Sequence, residues 1–308
     1  MSVQVFIDGG AGTTGLEIRE RLAGRADIAL VTLPEERRKD AAARAGALNA
    51  ADAVILCLPD DAAREAVALI DNDRTRVIDA STAHRTAPGW VYGFPEVSGR
   101  AAVAGARRIS NPGCYSTGFI ALVAPLVAAG LIPAEAALAC NAVSGYSGGG
   151  KAMIADYEAP GTTPPAFSTY ALGLAHKHVP EMQRHCGLAR PPLFAPAVVP
   201  LRSGMIVDVP LTADQIAPHA TGDAMRDALR AAYAGSPIVS VVEPDGATLA
   251  VERLSGTDRL EIALFANEDR RQYRLVAMLD NLGKGAAGAA VQTLNLLFGF
   301  DETTGLRV

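Results

Sequence analysis

Cys114 stands in the run Ile109-Ser110-Asn111-Pro112-Gly113-Cys114-Tyr115-Ser116-Thr117-Gly118, where a Pro-Gly turn precedes a helix-like apolar segment. A thiol at a helix N-terminus is pushed towards thiolate, because the helix dipole and the open N–H groups favour negative charge. Those N–H groups could also receive an oxyanion formed at a carbonyl that the sulfur attacks. The competing reading is a small buried side chain. Cys57, Cys140 and Cys186 lack such a setting, and Cys57 and Cys140 read as core. No two cysteines form a C-x-x-C, so disulfides are not expected. Two of the five histidines fall in Ala175-His176-Lys177-His178-Val179-Pro180-Glu181. A histidine near the thiol could take its proton and return it to a product oxygen. In an extended segment His176 and His178 would point the same way, which leaves open which of them meets the sulfur. Zinc ligation by these histidines with His185 and Cys186 matches no common spacing, so no metal is expected.

The second chemical feature is Gly9-Gly10-Ala11-Gly12-Thr13-Thr14-Gly15, after the strand-like Val3 to Ile7 and before the helix-like Leu16 to Leu22. Glycines there let the backbone turn tightly against a pyrophosphate, and the helix N-terminus offers N–H groups to the anion. A dinucleotide is the expected ligand. After the next strand comes Leu33-Pro34-Glu35-Glu36-Arg37-Arg38-Lys39. An acidic residue there suits the ribose of NAD and a basic one the 2′-phosphate of NADP. Arg37, Arg38 and Lys39 tilt the expectation to NADP(H).

These residues need a frame. The chain has 308 residues, about two domains' worth. It is 49% apolar and 20% charged, the composition of a soluble globular protein. A net charge of −5 argues against nucleic-acid binding. The longest apolar run, Phe119 to Ile132, is too short to span a bilayer and no export signal opens the sequence, so no membrane association and a cytoplasmic location are expected. Strand-like runs at 28–33, 53–58 and 76–79 alternate with helix-like ones, among them 60–70, which predicts a parallel sheet covered on both faces. Tyr115 to Gly130 reads as one long helix. Residues 198–210 and 260–280 read as strands of a second, more antiparallel sheet, and Gly283 to Phe298 as an Ala-rich helix. The expectation is an α/β Rossmann-type dinucleotide-binding domain over 1–113, an α+β catalytic and oligomerisation domain over 114–282, and a helix over 283–308 returning to the first.

Asn111-Pro112-Gly113-Cys114-Tyr115, with Ala124-Pro125 downstream, resembles the active-site motif of N-acetyl-gamma-glutamyl-phosphate reductases. Asp8 to Gly15 is similar to the start of the shorter form of that family. Ser144-Gly145-Tyr146-Ser147-Gly148, the 176–181 segment and Asp280-Asn281-Leu282-Gly283-Lys284-Gly285 match in the expected order, so the resemblance covers nearly the whole chain. It implies NADPH-dependent reduction of an acyl phosphate to an aldehyde through a Cys114 thioester, in arginine biosynthesis, by a homo-oligomer (dimer or tetramer) acting on a small molecule. It also implies that Asn281 and Gly285 approach the nicotinamide.

An acyl phosphate of this kind brings a phosphate and a carboxylate. Arg85 follows a strand and a short loop, where an α/β sheet presents its ligands, and suits bidentate contact with an oxyanion. The 144–151 loop, with Ser144, Ser147 and Lys151, is a second candidate for substrate contact. Three alternatives remain. Aspartate-semialdehyde dehydrogenases act on a shorter substrate with a free amine, which Glu181 could pair. A carrier-linked acyl-phosphate reductase would need a basic groove. A non-catalytic NADP sensor would have no use for Cys114 beside His176 and His178.

Overall fold

The computed structural model describes residues 2–38, 40–243 and 246–308, so Lys39 lies outside the described residues. The chain divides into two units, one of residues 1–112 with 286–306 and the other of residues 113–285 with 307–308.

The first unit contains β1 (Val3–Asp8), α1 (Thr13–Leu22), β2 (Ile28–Val31), α2 (Ala41–Ala50), β3 (Ala53–Leu56), α3 (Asp60–Ala68), β4 (Arg76–Asp79) and β5 (Val91–Tyr92). Two short helices follow, α4 (Pro95–Ser98) and α5 (Arg100–Gly105), and then β6 (Arg108–Ser110). Its strands form a six-stranded sheet in the order β2-β1-β3-β4-β6-β5, and all pairings are parallel. β3 is buried along its whole length because both faces are covered. Val5, Ile55, Ile78 and Ile109 pack with Ile18 of α1 and with Val291 and Leu294 near the C-terminus. Phe6, Val54, Leu56 and Val77 pack on the other face with Leu48 of α2 and Ala63 of α3.

The second unit opens with α6 (Cys114–Ala128). It continues through β7 (Ala139–Gly145), α7 (Gly150–Glu158), β8 (Ser168–Thr169), α8 (Val179–Cys186), β9 (Leu193–Val199), β10 (Met205–Leu211), α9 (Gly222–Ala232), β11 (Val239–Val241), β12 (Leu260–Asn267) and β13 (Gln272–Leu279). A π-helical turn, Gly283–Ala287, leads into α10 (Gly288–Leu297), which lies in the first unit. The second sheet has the order β11-β12-β13-β10-β7-β9-β8. It is mixed: β7 pairs with β9 in parallel, as β11 does with β12, and the other pairings are antiparallel. The 198–210 run is the end of one strand, a turn and a second strand.

Helix α6 is buried almost all round, and it lies so close to β10 that a Cβ on Gly118 would come within 2.6 Å of Val207. Pro125 lies inside it. Proline has no N–H, so the Ala121 carbonyl loses its helical donor. The Tyr233 hydroxyl takes that place, donating to the Ala121 carbonyl at 2.7 Å. Among the described residues, no helix is long and apolar enough to cross a membrane.

Candidate active site

Cys114 is the first residue of α6, with Gly113 as its N-cap in extended conformation. Gly113 has no side chain to compete for the N–H groups of the first turn, where a thiolate gains most from the dipole. The Gly113 N–H is itself donated to Glu181 Oε2 at 3.2 Å. Glu181 Oε1 lies 4.0 Å from His178 Nε2. Glu181 is 1% exposed and His178 5%. A buried carboxylate therefore faces both the helix start and an imidazole, and a proton on that ring would be stabilised by the charge beside it.

The two histidines do not meet through an extended segment, as the sequence reading had it. Residues 177–178 form a turn and α8 begins at Val179. Pro180 at the second helical position favours this start. The turn brings the rings to 4.6 Å between centroids, nearly perpendicular. His176 Nδ1 accepts the backbone N–H of His178 at 3.1 Å, which places the neutral ring's proton on Nε2. Phe194, Tyr170 and Tyr115 surround the His176 ring at 5.0, 5.8 and 6.1 Å. The Tyr170 hydroxyl donates to the Tyr115 hydroxyl at 3.0 Å, which in turn donates to the Ala197 carbonyl at 3.3 Å. Burial pushes both phenols above their usual range, and negative charge on Cys114 adds to that. They are donors here, not bases. Tyr115 stands in the sequence motif of Cys114, whereas no sequence signal singled out Tyr170.

The remaining cysteines are unlike Cys114. Burial, with Asp79 and Asp8 nearby, pushes the Cys57 thiol up to about 12. Burial also raises Cys140 and Cys186. Among the described residues no cluster of three or more ligating side chains could hold a metal.

Ser144 and Ser147 are buried. Ser144 Oγ donates to the Gly145 carbonyl at 3.0 Å, and Ser147 Oγ accepts from Asn281 Nδ2 at 2.9 Å. Lys151 is exposed in the first turn of α7. A Cβ on Gly285 would come within 2.8 Å of the Cys114 Cβ.

In the first unit the glycine turn has the shape the motif asks for. Gly9 has φ +80°, and a side chain there would run into the Cys57 carbonyl. A Cβ on Gly15 would sit 2.7 Å from Gly10 Cα, so the turn closes on itself. Gly12 caps α1, with Thr13 and Thr14 in its first turn. Gly9, Gly10 and Ala11 line a cleft of about 320 Å³, which Leu33, Arg19, Arg38 and Arg44 also border. Backbone without side chains at a helix start, next to three guanidinium groups, fits a dinucleotide phosphate. Arg19 and Arg44 were missed by the sequence reading. Arg44 Nη2 bonds Asp8 Oδ2 at 2.8 Å at the end of β1. Arg37 does not border the cleft, and pairs with Asp40 at 3.7 Å with most of its side chain in solvent.

Arg85 is buried just beyond β4. Its Nε donates to the Asn111 carbonyl at 3.0 Å and its Nη2 to the Ala80 carbonyl at 3.4 Å. Those carbonyls follow β6 and β4, so Arg85 sits at the carboxyl end of the sheet.

Two family models cover most of the chain. Residues 4–106 match the semialdehyde dehydrogenase NAD binding domain, and residues 114–281 match the semialdehyde dehydrogenase dimerisation domain. The chain is 51% identical over 302 residues to N-acetyl-gamma-glutamyl-phosphate reductase 2 of Pseudomonas putida, covering 96% of each. The chain belongs to the N-acetyl-gamma-glutamyl-phosphate reductase family. A Trichormus variabilis member of this family is 48% identical, over 98% of this chain and 99% of its own. The fold is shared more widely. Aspartate semialdehyde dehydrogenase II of Vibrio cholerae superposes with a TM-score of 0.75 at 18% identity, covering 97% of this chain and 99% of its own. The family matches give residues 4–106 a nicotinamide dinucleotide cofactor and residues 114–281 a dimerisation function.

Proposed function

We propose that this reductase converts N-acetyl-gamma-glutamyl phosphate to N-acetylglutamate 5-semialdehyde with NADPH, releasing phosphate, in arginine biosynthesis. The observation that carries the reading is the fastening of Glu181 to the Gly113 N–H at the start of the Cys114 helix, with His178 beside it.

His178 takes the Cys114 proton, and Glu181 stabilises the imidazolium. The thiolate attacks the acyl carbonyl carbon, and a tetrahedral oxyanion forms by the first turn of α6. Its collapse breaks the carbon–oxygen bond to phosphate, which takes the proton from His178 as it leaves, and leaves a thioester on Cys114. The nicotinamide, when bound, supplies a hydride to that thioester. The resulting thiohemiacetal oxyanion collapses to the aldehyde and returns the sulfur as thiolate. His176, with its proton on Nε2, donates a hydrogen bond to the developing negative charge. Splitting one reduction into two covalent steps is what a nucleophile provides.

Arg19, Arg38 and Arg44 favour NADP over NAD through the 2′-phosphate. Arg85 and Lys151 are assigned to the substrate's anionic groups. A homo-oligomer formed through the second unit is the expected assembly. Glu181 speaks against a free-amine substrate, because its two oxygens are directed to Gly113 and His178 inside the protein.

The test is phosphate-dependent NADP+ reduction with N-acetylglutamate semialdehyde, run beside aspartate semialdehyde. Activity with the acetylated aldehyde alone supports the reading. Activity with aspartate semialdehyde alone overturns the substrate assignment, and activity with neither overturns the reductase reading.

A further inference from the structure

Asn281 stands where a cofactor contact was expected, and its amide is bonded at both ends inside the second unit. It is 2% exposed. Its Oδ1 accepts the Gly204 N–H at 3.0 Å, and its Nδ2 donates to Ser147 Oγ at 2.9 Å. The preceding Asp280 is as fully engaged. Its Oδ2 accepts from Ser203 Oγ at 2.8 Å and from the Gly256 N–H at 2.6 Å. Its Oδ1 accepts the N–H groups of Leu282 and Gly283 at 2.7 and 3.1 Å, and its carbonyl accepts the Gly285 N–H at 3.0 Å. Two consecutive side chains thus gather the 144–149 loop, the β9–β10 turn, the loop before β12 and the start of the π-turn.

The π-turn is the segment that these bonds hold in place. Gly283 packs its backbone on the Thr257 carbonyl, and Gly285 packs against Cys114 Cα and Cβ. A π-turn carries an extra residue, is costly to form, and is kept where it aims something. Here it lays the bare backbone of Gly285 against the cysteine.

We infer that Asp280 and Asn281 are positioning residues for Cys114: they hold the π-turn so that the Gly285 backbone lies against the nucleophile and fixes the direction of its sulfur. The inference rests on the reading of Cys114 as nucleophile. It gives Asn281 an anchoring task in place of the expected cofactor contact, and Ser147 the same task as an anchor of Asn281.

The experiment uses the full-length enzyme and the variants Asn281→Ala and Ser147→Ala. Four quantities are measured: the pH profile of Cys114 alkylation by iodoacetamide, NADPH binding by fluorescence, kcat and KM. A misplaced nucleophile costs about 10- to 100-fold in kcat. The positioning role therefore predicts that loss, with a displaced alkylation profile, and with KM and NADPH affinity held within about threefold. Weaker NADPH binding by about tenfold with an unchanged alkylation profile makes Asn281 a cofactor residue and overturns the inference. Unchanged alkylation and kcat in both variants overturn it as well. Ser147→Ala removes only one acceptor and keeps the test valid if Asn281→Ala does not fold. Cys114→Ser is assayed in parallel. Turnover retained by that variant defeats the nucleophile reading itself, whereas the alkylation profiles judge the positioning role alone.

Discussion

Glu181 accepts the backbone N–H of Gly113, the residue immediately before Cys114, at 3.2 Å. One carboxylate therefore serves the start of a helix through one oxygen and faces an imidazole through the other. Glu181→Gln keeps the shape and an acceptor for Gly113 but removes the charge that stabilises His178 as imidazolium. The fold should survive, and kcat should fall by about 100-fold, the lower range for losing assisted proton transfer. Glu181→Ala should lose stability too, because the buried Gly113 N–H is left without its acceptor at a cost of about 1–3 kcal/mol. Steady-state kinetics and thermal melting separate the two. Full activity in the Gln variant would remove Glu181 from the proton path.

The cysteines separate by pH. The Cys57 thiol is pushed up to about 12 by burial, so its thiolate is absent until the pH approaches that value. Cys140 and Cys186 are raised in the same direction. Only thiolate reacts with iodoacetamide. The native protein should therefore take a single adduct, on Cys114, between pH 7 and pH 9. Peptide mass spectrometry reads the sites, and early modification of Cys57 would contradict the burial argument.

Cofactor choice is the third test. Arg38 and Arg44 border the cleft and Arg37 does not. Losing a charge-assisted contact to the 2′-phosphate costs about 1.5–3 kcal/mol, roughly 10- to 100-fold in affinity. Arg38→Ala and Arg44→Ala should weaken NADPH by such factors and leave NADH little changed. Arg37→Ala should alter neither. Titrations of both cofactors against all three variants decide it, and equal weakening of NADPH and NADH would dismiss a phosphate contact.

What the sequence disclosed follows from how local each signal is. The β3 run Ala53 to Leu56 is apolar on both faces, and a doubly covered strand is buried on both. The Pro-Gly turn before Cys114 marks the start of α6 through residues that touch one another in sequence. Arg44 was invisible because its partner Asp8 lies 36 residues away, across the β1–α2 packing. Which histidine meets the sulfur stayed open in the sequence because a turn at 177–178, just before the helix that Pro180 helps to open, sets the two rings. The π-turn after Asp280 has no periodicity of its own: side chains from one dipeptide and contacts to Thr257 and Cys114 impose it.

Pro125 in α6 gives the last prediction. Its ring removes the N–H that would meet the Ala121 carbonyl, and the Tyr233 hydroxyl donates there from 112 residues away. Tyr233→Phe keeps the ring packing and leaves that buried carbonyl short of a donor, at a cost of about 1–3 kcal/mol. Pro125→Ala restores a backbone N–H in the helix, so the carbonyl gains a second potential donor. In that background Tyr233→Phe should cost less than it does in the natural sequence. A double-mutant cycle by urea unfolding should therefore show coupling of about 1 kcal/mol between two side chains that share one acceptor. Strict additivity would mean that the hydroxyl does not substitute for the missing N–H. Catalysis should be largely spared in Tyr233→Phe, because the repaired carbonyl lies two helical turns from Cys114.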